Sequence, residues 1–497
     1  MRVAPHLLIS AIVVAASWLS CEAAEGPGAG FIYDRFELTL APGERTEAAG
    51  PFFYDEQKET ERTWALPPLM SYARDPAVDL AEFDFAYPLL TYDRYGRQFR
   101  WQLFQLLSYA GGPSQTEEER NRFTLFPFYF QQRSTDPAEN YTAVMPFYGT
   151  LKNRLFRDEI FWVMWPAYCE TRKKDVVTDN YLVPFFHLRH GLGLKGWQFW
   201  PLVGDEHKEV TTRTNGFGDV ELVPGHDKFF ALWPIYFNEH SGLGTANPDW
   251  QQGVLPLYSI ERSPQRDSTT VLWPFFSHIT DREKKYREWD APWPLVEFAR
   301  GEGKHTCRVW PFFSHARSPA VETGFYLWPI YKYNGIHSEP LDRRRDRILF
   351  FLYSDIRERS TETGASRRRT DLWPLFLRQR DYNGNTRFQV LALLESWTLG
   401  SHKIDRDYSP VWSIWRSEKN AQTGARSQSL LWNLYRREAA PGRKKVSALF
   451  GLFQYRSDAD GTRVRLFYLP LGKSHRAEAR GGDPEKLAGA NRRGGQD

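Results

Sequence analysis

The segment Leu272-Trp273-Pro274-Phe275-Phe276-Ser277-His278 decides the architecture of this chain, because its pattern recurs along most of the sequence. The pattern is an apolar residue, a tryptophan or another bulky residue, a proline, and two apolar or aromatic residues; WPFFSH itself returns at 310–315. Its prolines stand at positions 68, 88, 127, 146, 166, 184, 201, 234, 256, 274, 294, 311, 329 and 374. Such self-similarity indicates a repeat protein.

The repeat has a regular length. Between Pro127 and Pro329 successive prolines are 17 to 22 residues apart, with one gap of 33. Beyond Pro374 the proline is lost, but similar apolar segments continue at the same spacing. Roughly 21 units of about twenty residues thus run from residue 60 to 472. We therefore predict one repeat domain over 61–472, preceded by an N-terminal segment over 25–60 and followed by a disordered tail over 473–497.

Each unit has the composition of β-structure. The apolar segments are short and rich in aromatic and β-branched residues, and turn sequences such as those at 301–303, 381–385 and 440–442 separate them. These connections are too short for a parallel crossover, so consecutive strands should be antiparallel. The prediction is an all-β fold, an antiparallel meander of roughly 20 strands that is closed or barrel-like.

The prolines leave two arrangements open, because a proline inside a central strand removes a hydrogen bond from the ladder. In the first, each strand bends at its Trp-Pro through a bulge, which gives a curved sheet with a belt of prolines. In the second, Trp-Pro begins a strand and each unit forms its own short hairpin.

Large apolar residues occupy both faces of each apolar segment. At about 3.3 Å per residue, five to seven residues span roughly 17 to 23 Å, close to the ~25 Å apolar band of an outer-membrane barrel. The sheet must therefore form packed layers or place one face in lipid. The motif tryptophans are predicted to form the repeat core: Trp165, Trp200, Trp233, Trp273, Trp293, Trp310, Trp328 and Trp373.

The N-terminus has the layout of a secretory signal over residues 1–24. An apolar run at 7–19 is followed by small residues. Two cleavage modes stay open: a lipoprotein signal, in which Cys21 becomes the lipidated first residue, and ordinary signal cleavage at Cys21-Glu22-Ala23. Removal of residues 1–24 leaves only Cys169 and Cys307, and two cysteines cannot form a disulfide scaffold in so long a mature chain.

Composition excludes two broad classes. With 41% hydrophobic and 25% charged residues, most of the 497-residue chain can form a core and is not disordered. No apolar run reaches the ~18 residues that a spanning helix needs, which excludes a helical transporter.

Motifs that carry chemistry are missing from the sequence. Residues 191–196 match G-x-G-x-x-G literally, but a strand-like segment follows where a dinucleotide site requires a helix. HExxH, GxSxG and CxxC do not occur. We predict no catalytic residues, no cofactor and no metal ligands, and we do not expect an enzyme.

Positive charge is concentrated in the last third of the chain. Residues 341–497 contain 31 Lys and Arg against 18 Asp and Glu. Three clusters lie near predicted turns, and alternate turns of a meander lie at one end of the sheet. A solvated rim is one interpretation; the other is a rim that binds an anionic lipid or glycan through arginine. The rim residues are Arg343, Arg344, Arg345, Arg367, Arg368, Arg369, Arg443, Lys444 and Lys445.

The signal sequence, the strand number near twenty, the short turns and the aromatic content resemble an outer-membrane β-barrel, in architecture only. The Trp-Pro hairpin repeats also resemble uncharacterised bacterial cell-envelope proteins, for which we name no family. The resemblance implies an exported protein of the bacterial cell envelope, in the outer membrane or alternatively in the periplasm.

We therefore expect a structural or outer-membrane barrel role without catalysis, with envelope lipids as partners and no nucleic acid. Two alternatives stay open: a periplasmic or surface glycan-binding protein that uses aromatic faces, and an enzyme with an unrecognised site.

Overall fold

The computed structural model describes residues 31–113, 119–214, 218–398, 401–459 and 461–471. These residues form an all-β fold in which 43 strands belong to one sheet and two more, β20 and β21, form a small separate sheet. The signal segment 1–24 with Cys21, and the tail 473–497, lie outside the described residues.

The first half of the strands is β1 (Tyr33–Glu37), β2 (Gly43–Ala48), β3 (Phe53–Lys58), β4 (Glu61–Leu66), β5 (Met70–Asp75), β6 (Leu80–Phe85), β7 (Leu90–Tyr95), β8 (Gln98–Leu103), β9 (Leu107–Gly111), β10 (Arg120–Leu125), β11 (Tyr129–Ser134), β12 (Tyr141–Val144), β13 (Tyr148–Arg154), β14 (Arg157–Val163), β15 (Tyr168–Lys173), β16 (Val176–Tyr181), β17 (Phe186–Gly191), β18 (Leu194–Phe199), β19 (Val203–Lys208), β20 (Thr211–Thr214), β21 (Val220–Val223) and β22 (Gly225–Ala231).

The second half is β23 (Tyr236–Leu243), β24 (Asp249–Val254), β25 (Tyr258–Arg262), β26 (Arg266–Val271), β27 (Phe276–Asp281), β28 (Tyr286–Asp290), β29 (Val296–Gly301), β30 (His305–Val309), β31 (Phe313–Arg317), β32 (Val321–Tyr326), β33 (Tyr331–Ser338), β34 (Leu341–Ile348), β35 (Tyr353–Ser360), β36 (Ser366–Leu372), β37 (Phe376–Arg380), β38 (Thr386–Val390), β39 (Trp415–Lys419), β40 (Arg426–Leu430), β41 (Tyr435–Ala440), β42 (Arg443–Ala448), β43 (Phe453–Asp458), β44 (Gly461–Leu466) and β45 (Leu469–Leu471).

Helical structure in the described residues is short. Two 3₁₀ turns cover Gly50–Phe52 and Pro137–Glu139, and two helices, α1 (His402–Asp407) and α2 (Ser409–Trp412), lie in the connection between β38 and β39. We call residues 391–414, which contain both helices, the insertion.

Strand pairing follows the sequence. Each strand of the large sheet pairs antiparallel with its neighbours along the chain, and β19 pairs with β22 across the small β20–β21 sheet. The prediction of an all-β antiparallel meander is confirmed. The strand number is about twice the predicted one, because each repeat contributes two strands: β26 and β27 form one hairpin, in which Val271 faces Phe276.

The motif prolines lie in turns and not in strands. Pro274, for example, lies in the turn 272–275 between β26 and β27. The peptide bonds that precede the motif prolines are cis, as in type VI turns. Because proline lacks an N–H group, it stands where the ladder requires no donor. The strands therefore do not bend at the prolines. Each unit is a hairpin, as in the second arrangement, but Trp-Pro forms its turn and does not begin a strand.

The two ends of the sheet differ in composition, because alternate turns lie at opposite ends of the strands. In the large sheet 21 connections follow even-numbered strands, and 14 of them contain the prolines of the repeat motif; we call this end of the sheet the aromatic margin. The connections that follow odd-numbered strands form the polar margin. Backbone hydrogen bonds join successive turns of the aromatic margin, such as Leu272 N–H to the Leu257 carbonyl (2.7 Å) and Leu327 N–H to the Phe312 carbonyl (2.6 Å).

The two faces of the sheet also differ. In β28 and β29, Glu288, Asp290 and Glu297 are buried on one face, which we call the inner face. Trp289 and Phe298 point to the opposite, outer face and are exposed. The register carries this alternation from strand to strand, so the faces can be followed through the sheet.

The two ends of the sheet meet. The inner faces of β1–β7 contact the inner faces of β39–β42 and the insertion, and we call this contact the seam. Lys445 Nζ donates to Asp34 Oδ1 (2.8 Å), the Arg436 guanidinium lies over the Phe36 ring, and Asn433 donates to Glu47. Within the described residues β1 and β45 each pair on one side only, so no ladder closes the sheet.

Arg406 of α1 is the centre of the seam. Its guanidinium contacts Asp84, Glu82 Oε2 (3.0 Å) and Asp407 Oδ1 (3.0 Å). Burial raises the pKa of Glu82, but a hydrogen bond from His402 and the nearby cationic charges outweigh this effect and lower the pKa to about 2. The same hydrogen bond raises the pKa of His402.

The described sheet begins earlier than the predicted repeat domain. Strands β1, β2 and β3 pair with one another and with β4. Residues 33–58, which the sequence analysis assigned to a separate N-terminal segment, therefore belong to the same sheet.

An apolar cluster covers the inner face of β11–β15. It contains Phe130, Tyr141, Ala143, Leu151, Trp162 and Cys169. Cys169 and Cys307 are free thiols. Trp162 is only 1% exposed and faces Gly149 across the β13–β14 pair. A Cβ atom on Gly149 would lie 2.3 Å from the Ala143 Cβ, so the glycine leaves room for the packed side chains around it.

Candidate functional site

The aromatic margin is an extended apolar surface of the described residues. Its turns expose large apolar side chains from end to end, including Phe104, Phe128, Phe147, Trp165, Leu182, Trp233, Trp273, Phe312, Leu327, Leu375 and Leu449. Soluble monomers rarely expose contiguous apolar patches larger than a few hundred Å², so a continuous row of this kind indicates an interaction surface.

The tryptophans that were predicted to form the repeat core lie on this margin. Seven of the eight, namely Trp165, Trp200, Trp233, Trp273, Trp293, Trp310 and Trp328, are 37–47% exposed, and Trp373 is half-buried. They do not form a buried core: seven stand in turns that leave them exposed, and Trp373 is covered in part by the insertion, where its Nε1–H donates to the Leu393 carbonyl (2.9 Å). Among the tryptophans of the described ranges the buried one is Trp162, which the repeat motif did not single out; the nearby strand glycine, Gly149, was the available signal.

The outer face extends the margin by one row of residues. The strand residues next to the turns are apolar across many strands, such as Val271 opposite Phe276 and Tyr326 opposite Tyr331. In the next row outward from the turns, acidic residues such as Asp179 and Asp205 share the outer face with apolar ones. The continuous apolar band therefore consists of the turns and of the first outer-face residue of each strand. Its depth is about 10 Å at ~3.3 Å per residue.

The backbone conformation of several turns makes their apolar residues unusual. Five turns that contain a motif proline hold a leucine or methionine at a φ of 46–51°: Met164, Leu182, Leu232, Leu272 and Leu327. Glycine, asparagine and aspartate adopt this left-handed conformation at lower cost. All five side chains are more than half exposed. An apolar side chain is therefore placed in solvent at a position that favours small polar residues.

The predicted arginine rim is split between the two faces. Its three clusters lie in β34, β36 and β42, close to the ends of these strands at the polar margin. Side chains alternate, so Arg344 and Arg368 lie on the outer face while Arg343, Arg345 and Arg367 lie on the inner face. β34 and β36 are two strands apart, and β42 is six strands beyond β36. The structure thus brings the first two clusters together and leaves Arg443–Lys445 apart from them, where Arg443 and Lys445 pair with β1 at the seam.

A buried carboxylate organises the outer arginines. Asp355 is 1% exposed and accepts hydrogen bonds from Arg368, Arg357 and Thr370. Burial raises the pKa of Asp355. The hydrogen bonds from these three residues outweigh burial and lower the pKa below its ordinary value, so the carboxylate stays ionised. Arg369, by contrast, is buried on the inner face against Asp371.

A carboxylate cluster on the inner face was missed by the sequence analysis. Ligand oxygens of Glu288, Asp290 and Glu297 lie within 4.8 Å of one another, a spacing that could hold a metal ion. Burial raises the pKa of Glu288 and of Asp290. Lys304 Nζ already lies 2.6 Å from Glu288 and 2.8 Å from Glu297, so a protein cation pairs with two of the three carboxylates. The signal in the sequence was two carboxylates at alternate positions of one strand.

No helix among the described residues is long and apolar enough to cross a lipid bilayer. The cavities found in this part of the chain are small or open: one of ≈80 Å³ at the seam is lined by Arg45, Glu56, Arg416 and Glu418, and one of ≈260 Å³ lies over β34–β37.

The chain matches no protein-family model and no curated protein.

Proposed function

We propose that this protein is an exported structural repeat protein of the cell envelope that lies on a lipid surface, with its aromatic margin in the apolar layer. The observation that carries the proposal is the uninterrupted row of exposed tryptophan, phenylalanine and leucine side chains along this margin. Tryptophan and tyrosine are enriched where proteins meet the membrane–water interface.

The length of the margin supports a lipid rather than a protein partner. Its 21 connections follow one another at about 10 Å intervals, twice the ~4.8 Å strand spacing, which gives a contour of roughly 200 Å. A standard protein–protein interface covers only about 800 Å² per partner. A bilayer offers an apolar phase of any length and can therefore accept the whole row.

The depth of the margin supports a protein that lies on the bilayer. Interfacial segments insert about 5–10 Å, whereas a spanning strand needs an apolar band of about 25 Å. The apolar segment, which as one strand would be only slightly short of a spanning band, is folded back on itself at the proline. Acidic side chains such as Asp179 and Asp205, one row further along the outer face, would be costly inside hydrocarbon.

Export and the absence of catalysis are parts of the same proposal. The signal pattern at 1–24 supports export. The polar clusters at the seam and around Lys304 consist of mutually paired charges, an arrangement that serves the fold without a reaction.

Vesicle flotation tests the lipid surface. We expect the protein to float with phosphatidylcholine vesicles, and Trp273, Trp293, Trp310 and Trp328 changed together to Ser to reduce binding at least tenfold, because each turn then loses its largest apolar group. The matched control changes four exposed apolar residues of the polar margin, Val78, Leu155, Phe156 and Leu192, to Ser. Circular dichroism checks that both variants keep their β-structure.

Three results would overturn the proposal: no flotation of the parent protein, equal flotation of the two variants, or binding of the parent to polysaccharide but not to vesicles. The last result would support the glycan-binding alternative.

A further inference from the structure

We infer that the outer face of β34–β37 binds the phosphate headgroups of anionic lipids, an inference that rests on the proposed lipid-bound function. Six arginines share this face of four consecutive strands: Arg344, Arg357, Arg359, Arg368, Arg378 and Arg380. The acidic residues of the same face and strands are Asp342, Asp346 and Asp355.

Four of these arginines form a row across the strands. In the register Arg344 faces Arg357, Arg357 faces Arg368, and Arg368 faces Arg380. Like charges directly opposite each other in a sheet are destabilising, and neighbouring strands are only about 4.8 Å apart. An anion between the guanidinium groups would relieve this repulsion, and arginine binds phosphate through two parallel hydrogen bonds.

The acids of this face neutralise its arginines only in part, because three carboxylates stand against six guanidinium groups. Asp355 is buried beneath Arg357 and Arg368 and contacts both, and Asp346 accepts from Arg344. Arg359, Arg378 and Arg380 are exposed and have no ion pair or side-chain hydrogen bond within the described ranges. An open groove of ≈260 Å³ lies beside them, lined partly by Arg359, Arg368 and Arg380.

The height of the arginines above the aromatic margin selects a lipid headgroup. Phe376 is the strand residue of β37 next to the margin; Arg378 and Arg380 follow on the same face two and four residues further. At ~3.3 Å per residue these positions lie about 7 and 13 Å above the apolar row. The headgroup layer is roughly 5–8 Å thick, and arginine side chains reach toward it along their apolar stems. A protein seated by its aromatic margin thus holds these guanidinium groups at phosphate level.

The test compares two double variants on vesicles. R378Q/R380Q removes two outer-face arginines without an ion pair. R463Q/R465Q makes the same charge change on the inner face of β44, where neither arginine has an ion pair in the described chain. Flotation is measured with phosphatidylcholine vesicles and with phosphatidylcholine–phosphatidylglycerol vesicles at low and high salt.

We expect R378Q/R380Q to bind phosphatidylglycerol vesicles about tenfold more weakly than the parent, since each arginine near an anionic surface contributes measurably. Binding to pure phosphatidylcholine should stay unchanged, R463Q/R465Q should behave as the parent, and high salt should remove the difference.

The two proposals fail in different ways. If the parent binds neither vesicle, the lipid-bound function is wrong and the headgroup site falls with it. If the parent binds both vesicles but R378Q/R380Q equals R463Q/R465Q, only the headgroup site is wrong. If R378Q/R380Q weakens binding to a soluble acidic polysaccharide and leaves vesicle binding unchanged, the site binds glycan and the lipid assignment is overturned.

Discussion

The seam and the central strands β22–β33 have the same meander and the same alternation of faces, yet their side chains are covered very differently. At the seam Asp34, Glu47 and Asp84 are buried beneath a second layer. In β23, by contrast, every side chain is half-buried, since only neighbouring side chains cover it. Burial at the seam therefore depends on tertiary contact, whereas burial in the central strands follows from pairing alone.

The comparison indicates what stabilises each region. A single-layer sheet relies on its backbone ladder and on cross-strand pairs, each of which contributes less than about 1 kcal/mol. The seam relies on desolvated ion pairs, and an unpaired charge there would cost several kcal/mol. The seam is thus the region where one substitution should have the largest effect.

Removing the central cation of the seam should have the largest effect. Arg406→Met leaves Glu82, Asp84 and Asp407 without their shared partner, so we expect a loss of about 3–5 kcal/mol in the free energy of unfolding. The measurement is urea denaturation. Arg282→Met, in the connection between β27 and β28, is the control; it breaks an exposed ion pair with Asp267 and should change stability far less. Equal losses in the two variants would remove the distinction between the regions.

Two tryptophans provide the next comparison. Trp162→Ala should destabilise the protein by about 3–5 kcal/mol, because the side chain is fully buried in the apolar cluster. Trp310→Ala should cost about 1 kcal/mol or less, because Trp310 is 41% exposed and its aromatic neighbour is Trp328. Thermal and urea unfolding of both variants measure this difference. A Trp310 effect as large as that of Trp162 would restore the repeat-core hypothesis.

Stability of the seam should depend on pH in both directions. The folded pKa of Glu82 is about 2, so its contribution is present above its ordinary value of 4.5 and is lost as pH falls from there toward 2. The pKa of His402 is raised, so its contribution is present below 6.5 and is lost as pH rises through the folded value. Unfolding free energies measured from pH 2 to 9 should show both limbs. Glu82→Gln removes the hydrogen-bonded pair with His402 and should make the unfolding free energy less dependent on pH at both ends of this range. An unchanged pH profile would show that the Glu82–His402 pair is not the cause.

The smallest expected effect concerns the turns of the central strands. Leu272→Asn places a residue that tolerates the left-handed conformation where φ is 46°, so stability should stay the same or rise by up to about 1 kcal/mol. Val271→Asn, the adjacent strand residue on the outer face, should instead destabilise by a few tenths to 1 kcal/mol, since asparagine is unfavourable in strands. Thermal unfolding compares the two. A clear loss of stability in Leu272→Asn would show that the leucine side chain supports the fold.

Several properties of this protein could be predicted from the sequence. The spacing of the prolines gave the length of the repeat, and the short turn sequences gave antiparallel pairing of consecutive strands. Both succeed because they depend on residues within about twenty positions of each other. The same local pattern placed the three basic clusters near one end of the strands.

The role of the proline required the structure. A run such as 272–276 has the same composition whether it is the middle of one strand or the turn between two. The register of Val271 opposite Phe276 shows that it is a turn, and this halves the apolar depth and doubles the strand number.

Burial and partners were decided by tertiary structure alone. Trp162 and Trp310 occur in similar sequence contexts, but of the two only Trp162 is buried. Arg406 and Asp84 lie 322 positions apart and meet because the ends of the sheet do. Arg343 and Arg344 are adjacent in sequence and lie on opposite faces. Local sequence determines which residues form strands and turns; which side chains are buried depends on register and on contacts between distant segments, which no local pattern contains.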